Sequence, residues 1–93
     1  MEQDSIFKAL ADPTRRHILK LLGKKDSLTA GEISDQFTIS KPAISDHLKI
    51  LRNAGLIYAE KQGQFIYYQL NMTIMQEITA LLMDVFKSSK EEV

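Results

Sequence analysis

The fold is decided by residues 37–52, which read FTISKPAISDHLKILR. Ser40 can cap a helix that carries Pro42 in its first turn, where the missing backbone N–H has no intrahelical partner to lose. Apolar residues recur at i, i+4 and i+7 in this helix and share one face; they are Ile44, Leu48 and Leu51. The other face is polar and spans about 140° of the helical wheel. It comprises Lys41, Pro42, Ser45, Asp46, Lys49, Arg52 and Asn53.

A shorter helix is predicted just upstream, over residues 29–37. Thr29 and Glu32 have the spacing of a capping box, in which each side chain accepts from a backbone N–H near the helix start. A turn of three or four residues then leads to Ser40, so the two helices form a helix-turn-helix. The polar face of the second helix is of the kind that meets base edges and phosphates.

A β-hairpin is predicted after the second helix. Gly55 is the kind of residue that commonly ends a helix, and residues 56–59 and 65–70 are rich in β-branched and aromatic side chains. The intervening EKQGQ is polar and contains a glycine, as hairpin turns do. Helix, turn, helix and hairpin in this order predict a winged helix-turn-helix.

Two further helices are predicted before this module. Residues 5–11 form a short apolar helix. Asp12 and Pro13 then supply an N-cap and a first-turn proline for a helix that is expected to run through Leu22 and to end near Gly23.

A last helix is predicted over residues 73–87, because apolar residues follow a helical period there. They are Ile74, Ile78, Leu81, Leu82, Val85 and Phe86. In so short a chain, this stripe is either core or subunit interface. The fold class is therefore mainly α (α+β): one winged helix-turn-helix domain over residues 1–93, with about five helices and a two-stranded β-hairpin wing.

Four ordered motifs resemble the ArsR (arsenic-repressor-like) family of bacterial winged-helix transcriptional repressors. They are FKALADPTRR with IL (7–16 and 18–19), SKPAIS with HL (40–45 and 47–48), LRNAGLI (51–57) and GQFIYY (63–68). The resemblance runs from about Ile6 to Asn71. Within the family it is greatest to the small autorepressors of the SdpR type, which lack metal ligands.

The resemblance implies a homodimer bound to double-stranded DNA at an inverted-repeat operator, with its recognition helices in successive major grooves. It places the first helix (about 4–11) and the last helix (about 73–87) at the dimer interface. The interface residues would be Ile6, Phe7, Leu10, Ile74, Ile78, Leu81, Leu82, Val85 and Phe86. It also implies repression of the protein's own promoter and a cytoplasmic, nucleoid-associated location, and it allows a partner protein that relieves repression.

The predicted DNA contacts lie on the recognition helix and the wing: Ser40, Lys41, Pro42, Ser45, Asp46, Lys49, Arg52, Lys61, Gln62 and Gln64. Ser45 is placed to read a base edge, whereas Lys49 and Arg52 are long enough to meet phosphate. Asp46 would be repelled by phosphates unless it accepts from a cytosine amino group or orients a neighbouring cation, and both alternatives stand. His47 falls on the apolar side, where it either joins two helices or reads a base.

The charge distribution is uneven along the chain, although the 93 residues contain 12 basic and 12 acidic side chains. Residues 8–64 hold ten Lys or Arg against six acids, and the two ends hold six acids against two lysines. A basic DNA surface between acidic ends fits this distribution, and scattered surface charge would also produce it. Arg15, Arg16 and Lys20 either contact phosphate or stay solvated.

Other functions are disfavoured by the same residues. The chain has no Cys and its only imidazoles are His17 and His47, so no metal or cofactor is expected. It has no Cys nucleophile, phosphate loop or HExxH pair, so an enzyme is not expected. No run approaches the roughly 18 apolar residues of a membrane span, so no membrane insertion is expected. The remaining alternative is a protein-interaction module that binds through the last helix, which zero net charge would suit.

Overall fold

The helices and strands follow one another along residues 2–91, the part of the chain that this computed structural model describes. The helices are α1 (Glu2–Leu10), α2 (Pro13–Lys25), α3 (Ala30–Ser34), α4 (Lys41–Asn53) and α5 (Met72–Glu91). The strands are β1 (Leu28–Thr29), β2 (Ile57–Gln62) and β3 (Phe65–Leu70). They form an antiparallel sheet in the order β1-β3-β2. The predicted winged helix-turn-helix is confirmed, with α3 and α4 as its helices and β2–β3 as its wing.

The hydrophobic core lies beneath α4, where the predicted apolar seam meets the other elements. Ile44, Leu48 and Leu51 are all buried. They belong to one cluster with Ile18 and Leu22 of α2, and with further buried side chains from α1, α3, the sheet and the segment that follows α4: Ile6, Ala9, Ile33, Ala54, Leu56, Ile57 and Tyr68. Because α4 is fixed by this seam, its polar face is held outward.

Helix α2 is longer than its sequence predicts, and the expectation that it ends near Gly23 is wrong. It continues to Lys25 and ends at Asp26, whose φ of 63° and ψ of −53° break the helical path. The Ser27 N–H donates to the Lys25 carbonyl over 2.6 Å, which closes a γ-turn around Asp26. Glycine is merely unfavourable inside a helix, whereas positive φ at Asp26 is incompatible with continuing it.

The sheet contains a strand that the sequence did not predict. Strand β1 pairs with β3 in the register Leu28↔Tyr68 and Thr29↔Tyr67.

The wing is also longer than expected, because β2 continues to Gln62. A two-residue turn remains, and its first residue, Gly63, has a φ of 64°, the position at which type II′ hairpin turns require glycine.

Helix α4 ends where the sequence predicts, through a Schellman motif. Gly55 has a φ of 80°, and its N–H donates to the Arg52 carbonyl over 2.9 Å. The Leu56 N–H donates to the Leu51 carbonyl over 3.0 Å, and both leucine side chains are fully buried. This pair of hydrogen bonds with an apolar contact is the usual helix stop at glycine, and it directs the chain into β2.

Helix α5 begins at Met72 and continues beyond the predicted end at residue 87, to Glu91. Three side chains in its first half, Ile74, Met75 and Ile78, pack against the core. Leu82 and Val85, in the second half, are more than half exposed. The apolar stripe therefore serves the core of the protomer at one end and reaches solvent at the other.

Candidate nucleic-acid interface

The helix-turn-helix is built by two local caps, both predicted from the sequence. The Glu32 N–H donates to Thr29 Oγ1 over 3.1 Å, and the Thr29 N–H donates to Glu32 Oε1 over 2.8 Å, which completes the capping box of α3. The Ala43 N–H donates to Ser40 Oγ over 3.3 Å and caps α4. Because the Ser40 oxygen is engaged in this way, its first role is to set the start of the recognition helix.

Helix α3 is shorter than the predicted helix over residues 29–37, since it ends at Ser34. Phe37 lies in the following turn and remains half-buried. Its ring meets the His17 ring edge-on, with centroids 4.8 Å apart and planes inclined by 64°. This contact holds the turn against α2, while His17 itself is exposed.

The outward face of α4 carries the predicted contact residues, and every one of them is exposed: Lys41, Pro42, Ser45, Asp46, Lys49 and Arg52. Within residues 2–91, none of the charged side chains in this set forms an ion pair or a side-chain hydrogen bond. Three cations are therefore free to meet an anionic partner. Without DNA, Asp46 forms no ion pair with a neighbouring cation among the described residues.

The wing tip brings the remaining predicted contacts to the surface. Lys61, Gln62 and Gln64 are exposed at the end of β2 and in the turn that follows it. The aromatic pair on β3 behaves differently: Tyr68 is buried in the core and Tyr67 is half-buried. These two tyrosines are therefore packed strand residues.

Arg15 joins α1, α2 and α4 behind the recognition helix. Its Nε donates to the Ala9 carbonyl over 2.8 Å and its Nη2 to the Lys8 carbonyl over 3.2 Å. Its Nη1 lies 3.3 Å from Nδ1 of His47. A guanidinium has donors only, so the ring nitrogen of His47 is the acceptor in this contact. His47 is thus the predicted, partly buried link between two helices.

Arg16 has a similar structural task at the end of α1. Its Nη1 donates to the Leu10 carbonyl over 2.8 Å. Carbonyls at the C-terminus of a helix lack intrahelical partners, and a cation there also complements the helix dipole. Idle solvation does not describe Arg15 and Arg16 in the free protein, since both side chains cap α1. The sequence alone does not reveal this, because the contacts depend on the angle between α1 and α2.

Asp12 caps α2 beside this cluster, as predicted. The Arg15 N–H donates to Asp12 Oδ2 over 3.0 Å, and His47 Nδ1 lies 3.8 Å from the same oxygen. The backbone hydrogen bond from Arg15 lowers the pKa of Asp12 below its ordinary value and outweighs the opposing effect of partial burial. The cap is therefore a carboxylate at neutral pH.

Asn71 is a structural residue that the sequence reasoning missed. Its Nδ2 donates to the Gly55 carbonyl over 2.9 Å, and its Oδ1 accepts from the Ile74 N–H over 3.3 Å. One side chain therefore caps α5 and holds the chain that leaves α4. An asparagine directly before an apolar helix is a recognisable N-cap signal, although its second partner could not be read from sequence.

The predicted interface residues occupy three different environments in the protomer. Phe7, Leu82, Val85 and Phe86 are exposed, while Leu10, Ile74, Ile78 and Leu81 are half-buried. Ile6 is only 7% exposed and belongs to the core of the protomer. A shallow groove runs between α1 and α5 and is lined by Ile6, Phe7, Ile74, Glu77, Ile78 and Leu81.

Along the described part of the chain, no helix combines the length and apolar character needed to cross a bilayer. Between residues 2 and 91, no three or more His, Cys, Asp or Glu side chains come together as ligands for a metal ion.

The fold and the exposed α4 face define a winged helix-turn-helix protein. Residues 12–59 match the family described as bacterial regulatory protein, arsR family. The chain belongs to the ArsR family of bacterial regulatory proteins. Proteins of this family are regulators rather than enzymes, as the sequence predicts.

Known relatives agree with this assignment. The chain is 54% identical over 74 residues to the transcriptional repressor SdpR of Bacillus subtilis (strain 168), covering 80% of this chain and 81% of that protein. It is 35% identical over 86 residues to the arsenic resistance transcriptional regulator ArsR1 of Pseudomonas putida (strain KT2440), covering 92% and 67%. The solved ArsR-like transcriptional regulator from Rhodococcus sp. RHA1 superposes with a TM-score of 0.84 at 28% identity, covering 98% and 85%. The predicted resemblance to the SdpR type is confirmed.

Proposed function

We propose that this chain is a DNA-binding transcriptional repressor that presents α4 to the major groove. The observation that carries the proposal is the exposed face of α4, on which Lys41, Lys49 and Arg52 have no partner among the described residues. Such unpaired cations neutralise phosphates, while shorter side chains on the same helix reach base edges. The 54% identity to the repressor SdpR supports the same function.

The proposal includes a homodimer closed by α1 and α5. Phe7 is 43% exposed and Leu82 is 56% exposed, so both leave apolar surface uncovered on one protomer. A second copy related by a twofold axis would cover it, and the two α4 helices would then face the same duplex in opposite directions. An inverted repeat with half-sites about 10–10.5 base pairs apart matches that symmetry.

Three finer features are proposed on the resemblance to the SdpR-type autorepressors. The protein represses its own promoter, it acts in the cytoplasm on nucleoid DNA, and a partner protein relieves the repression. The wing residues Lys61, Gln62 and Gln64 are proposed to contact the DNA backbone or minor groove beside each half-site, since they are exposed at the tip of the hairpin.

An electrophoretic shift assay tests the function directly. Purified protein is titrated into the DNA upstream of its own gene and into a scrambled duplex of equal length and composition. We expect a saturable shift of the upstream DNA that survives an excess of the scrambled competitor. Equal binding to both duplexes, or to neither, would contradict the proposal and favour the protein-interaction module instead.

A further inference from the structure

Asp46 occupies the most outward position in the first half of the recognition helix. It is the sixth residue of α4, which begins at Lys41. At 100° per residue, its direction lies within roughly 20° of the line opposite the buried seam. The N-terminal part of a recognition helix is the part that contacts base edges. Asp46 is therefore directed at bases more than at the backbone.

The carboxylate of Asp46 is also unsatisfied on this surface. It is exposed, and no side chain within residues 2–91 forms an ion pair or a hydrogen bond with it. Lys49 lies one turn further along the helix but does not neutralise it. A bare carboxylate brought into a DNA groove loses water and is repelled by phosphates, so it must find a hydrogen-bond donor there.

The chemistry of base edges limits which donor this is. A carboxylate accepts hydrogen bonds only. In the major groove, guanine presents two acceptors and thymine presents an acceptor and a methyl group. Adenine presents its amino donor beside the N7 acceptor, which repels a carboxylate. Cytosine presents its 4-amino group without a neighbouring acceptor of its own, so it is the base that suits Asp46.

We propose that Asp46 selects a cytosine in each half-site of the operator by accepting a hydrogen bond from the 4-amino group. The inference rests on the proposed function, and it adds a base and a position to it. It makes Asp46 a specificity determinant within a face whose other charges attract any sequence alike.

Selection from a pool of randomised duplexes, followed by sequencing, tests the inference. The parent should enrich one cytosine at symmetric positions in the two half-sites. Asp46→Asn should replace that cytosine by adenine, because an amide both accepts from N6 and donates to N7. Asp46→Ala should leave that position without preference, reducing discrimination there by at least about fivefold, the lower end for a direct base contact. The other positions of the motif should not change.

Asp84→Asn is the matched control, since it removes the same charge from an exposed position on α5. It should select the parental motif. If both Asp46 variants select the parental motif, or change all positions alike, the inference is overturned while the repressor function stands. If the parent itself enriches no motif, the proposed function and the inference fail together.

Discussion

The guanidinium of Arg15 lies 3.3 Å from the imidazole of His47, and this contact joins α2 to the recognition helix. Arg15 belongs to α2, but its other nitrogens hold the carbonyls of Lys8 and Ala9 at the end of α1. His47 belongs to α4 and faces inward. One side chain therefore contacts both the first helix and the recognition helix.

Replacing Arg15 should destabilise the fold. Arg15→Ala leaves the terminal carbonyls of α1 without their charged donor, and we expect a loss of about 1.5–3 kcal/mol in the free energy of unfolding. Urea denaturation followed by circular dichroism measures it. Lys20→Ala removes an exposed cation from the same helix and should stay within about 0.5 kcal/mol of the parent. Equal stability of the two variants would mean that the Arg15 contacts contribute nothing.

The cap at Asp12 makes part of the stability dependent on pH. Its pKa is lowered in the folded state, so its contribution is complete above the ordinary carboxyl value and is lost as the pH falls through the folded value. Asp12→Ala should cost about 0.5–2 kcal/mol at neutral pH. The difference between variant and parent should shrink below about pH 4. Unfolding curves across this range check the sign, and a gap that widens in acid would refute it.

Substitutions on α4 should separate phosphate contacts from base contacts. Lys49→Ala should weaken binding to all sequences alike and lower the salt slope of binding by about one per contact, hence about two per dimer. Ser45→Ala should instead relax preference at one base position, at a cost of about 1–3 kcal/mol. Binding titrations at several salt concentrations distinguish the two. Lys87→Ala on α5 is the control for lost charge and should bind as the parent does.

The oligomeric state can be tested at Leu82. Leu82→Glu places a charge in the proposed interface, where it would be desolvated without a partner, so the dimer should dissociate. Since Leu82 is exposed on the protomer, circular dichroism should show a folded monomer. Ala80→Glu adds the same charge on the opposite side of α5 and should remain dimeric in the ultracentrifuge. If the parent sediments as a monomer at tens of micromolar, the proposed dimer interface is contradicted.

Metal ions are expected to leave operator binding unchanged. The chain contains no Cys and only His17 and His47 as imidazoles, and both rings pack against other side chains. Titration with zinc, copper, nickel or arsenite should therefore not shift the affinity for the operator. A shift above about fivefold, the lower end of typical allosteric coupling, would reveal an overlooked site.

The sequence predicted those parts of the fold that depend on neighbouring residues. The capping box of Thr29 with Glu32, the caps at Ser40 and Asp12, and the stop at Gly55 all form as expected. In each case the side chain or glycine contacts backbone groups only a few residues away along the chain. The apolar seam of α4 was equally clear, because helical periodicity is a local property.

Features that depend on packing between distant segments were missed. Strand β1 consists of two residues and exists only because β3 lies beside it. Arg15 and Arg16 can cap α1 only because α1 ends beside α2. In the sequence alone, a pair of basic residues is equally consistent with a phosphate-binding site. For the candidate site, the sequence identified the surface residues, while the unpaired state of Asp46 emerged only from the structure.

The two hydrogen bonds of the Asn71 side chain affect how the proposed dimer would match the spacing of the two half-sites. Its amide ties the Gly55 carbonyl, just after α4, to the first turn of α5. If α5 pairs with its copy, a small rotation between the copies must swing both recognition helices. The subunit contact would then set the distance between the two recognition helices. A ligand that alters this contact would release the operator without touching α4.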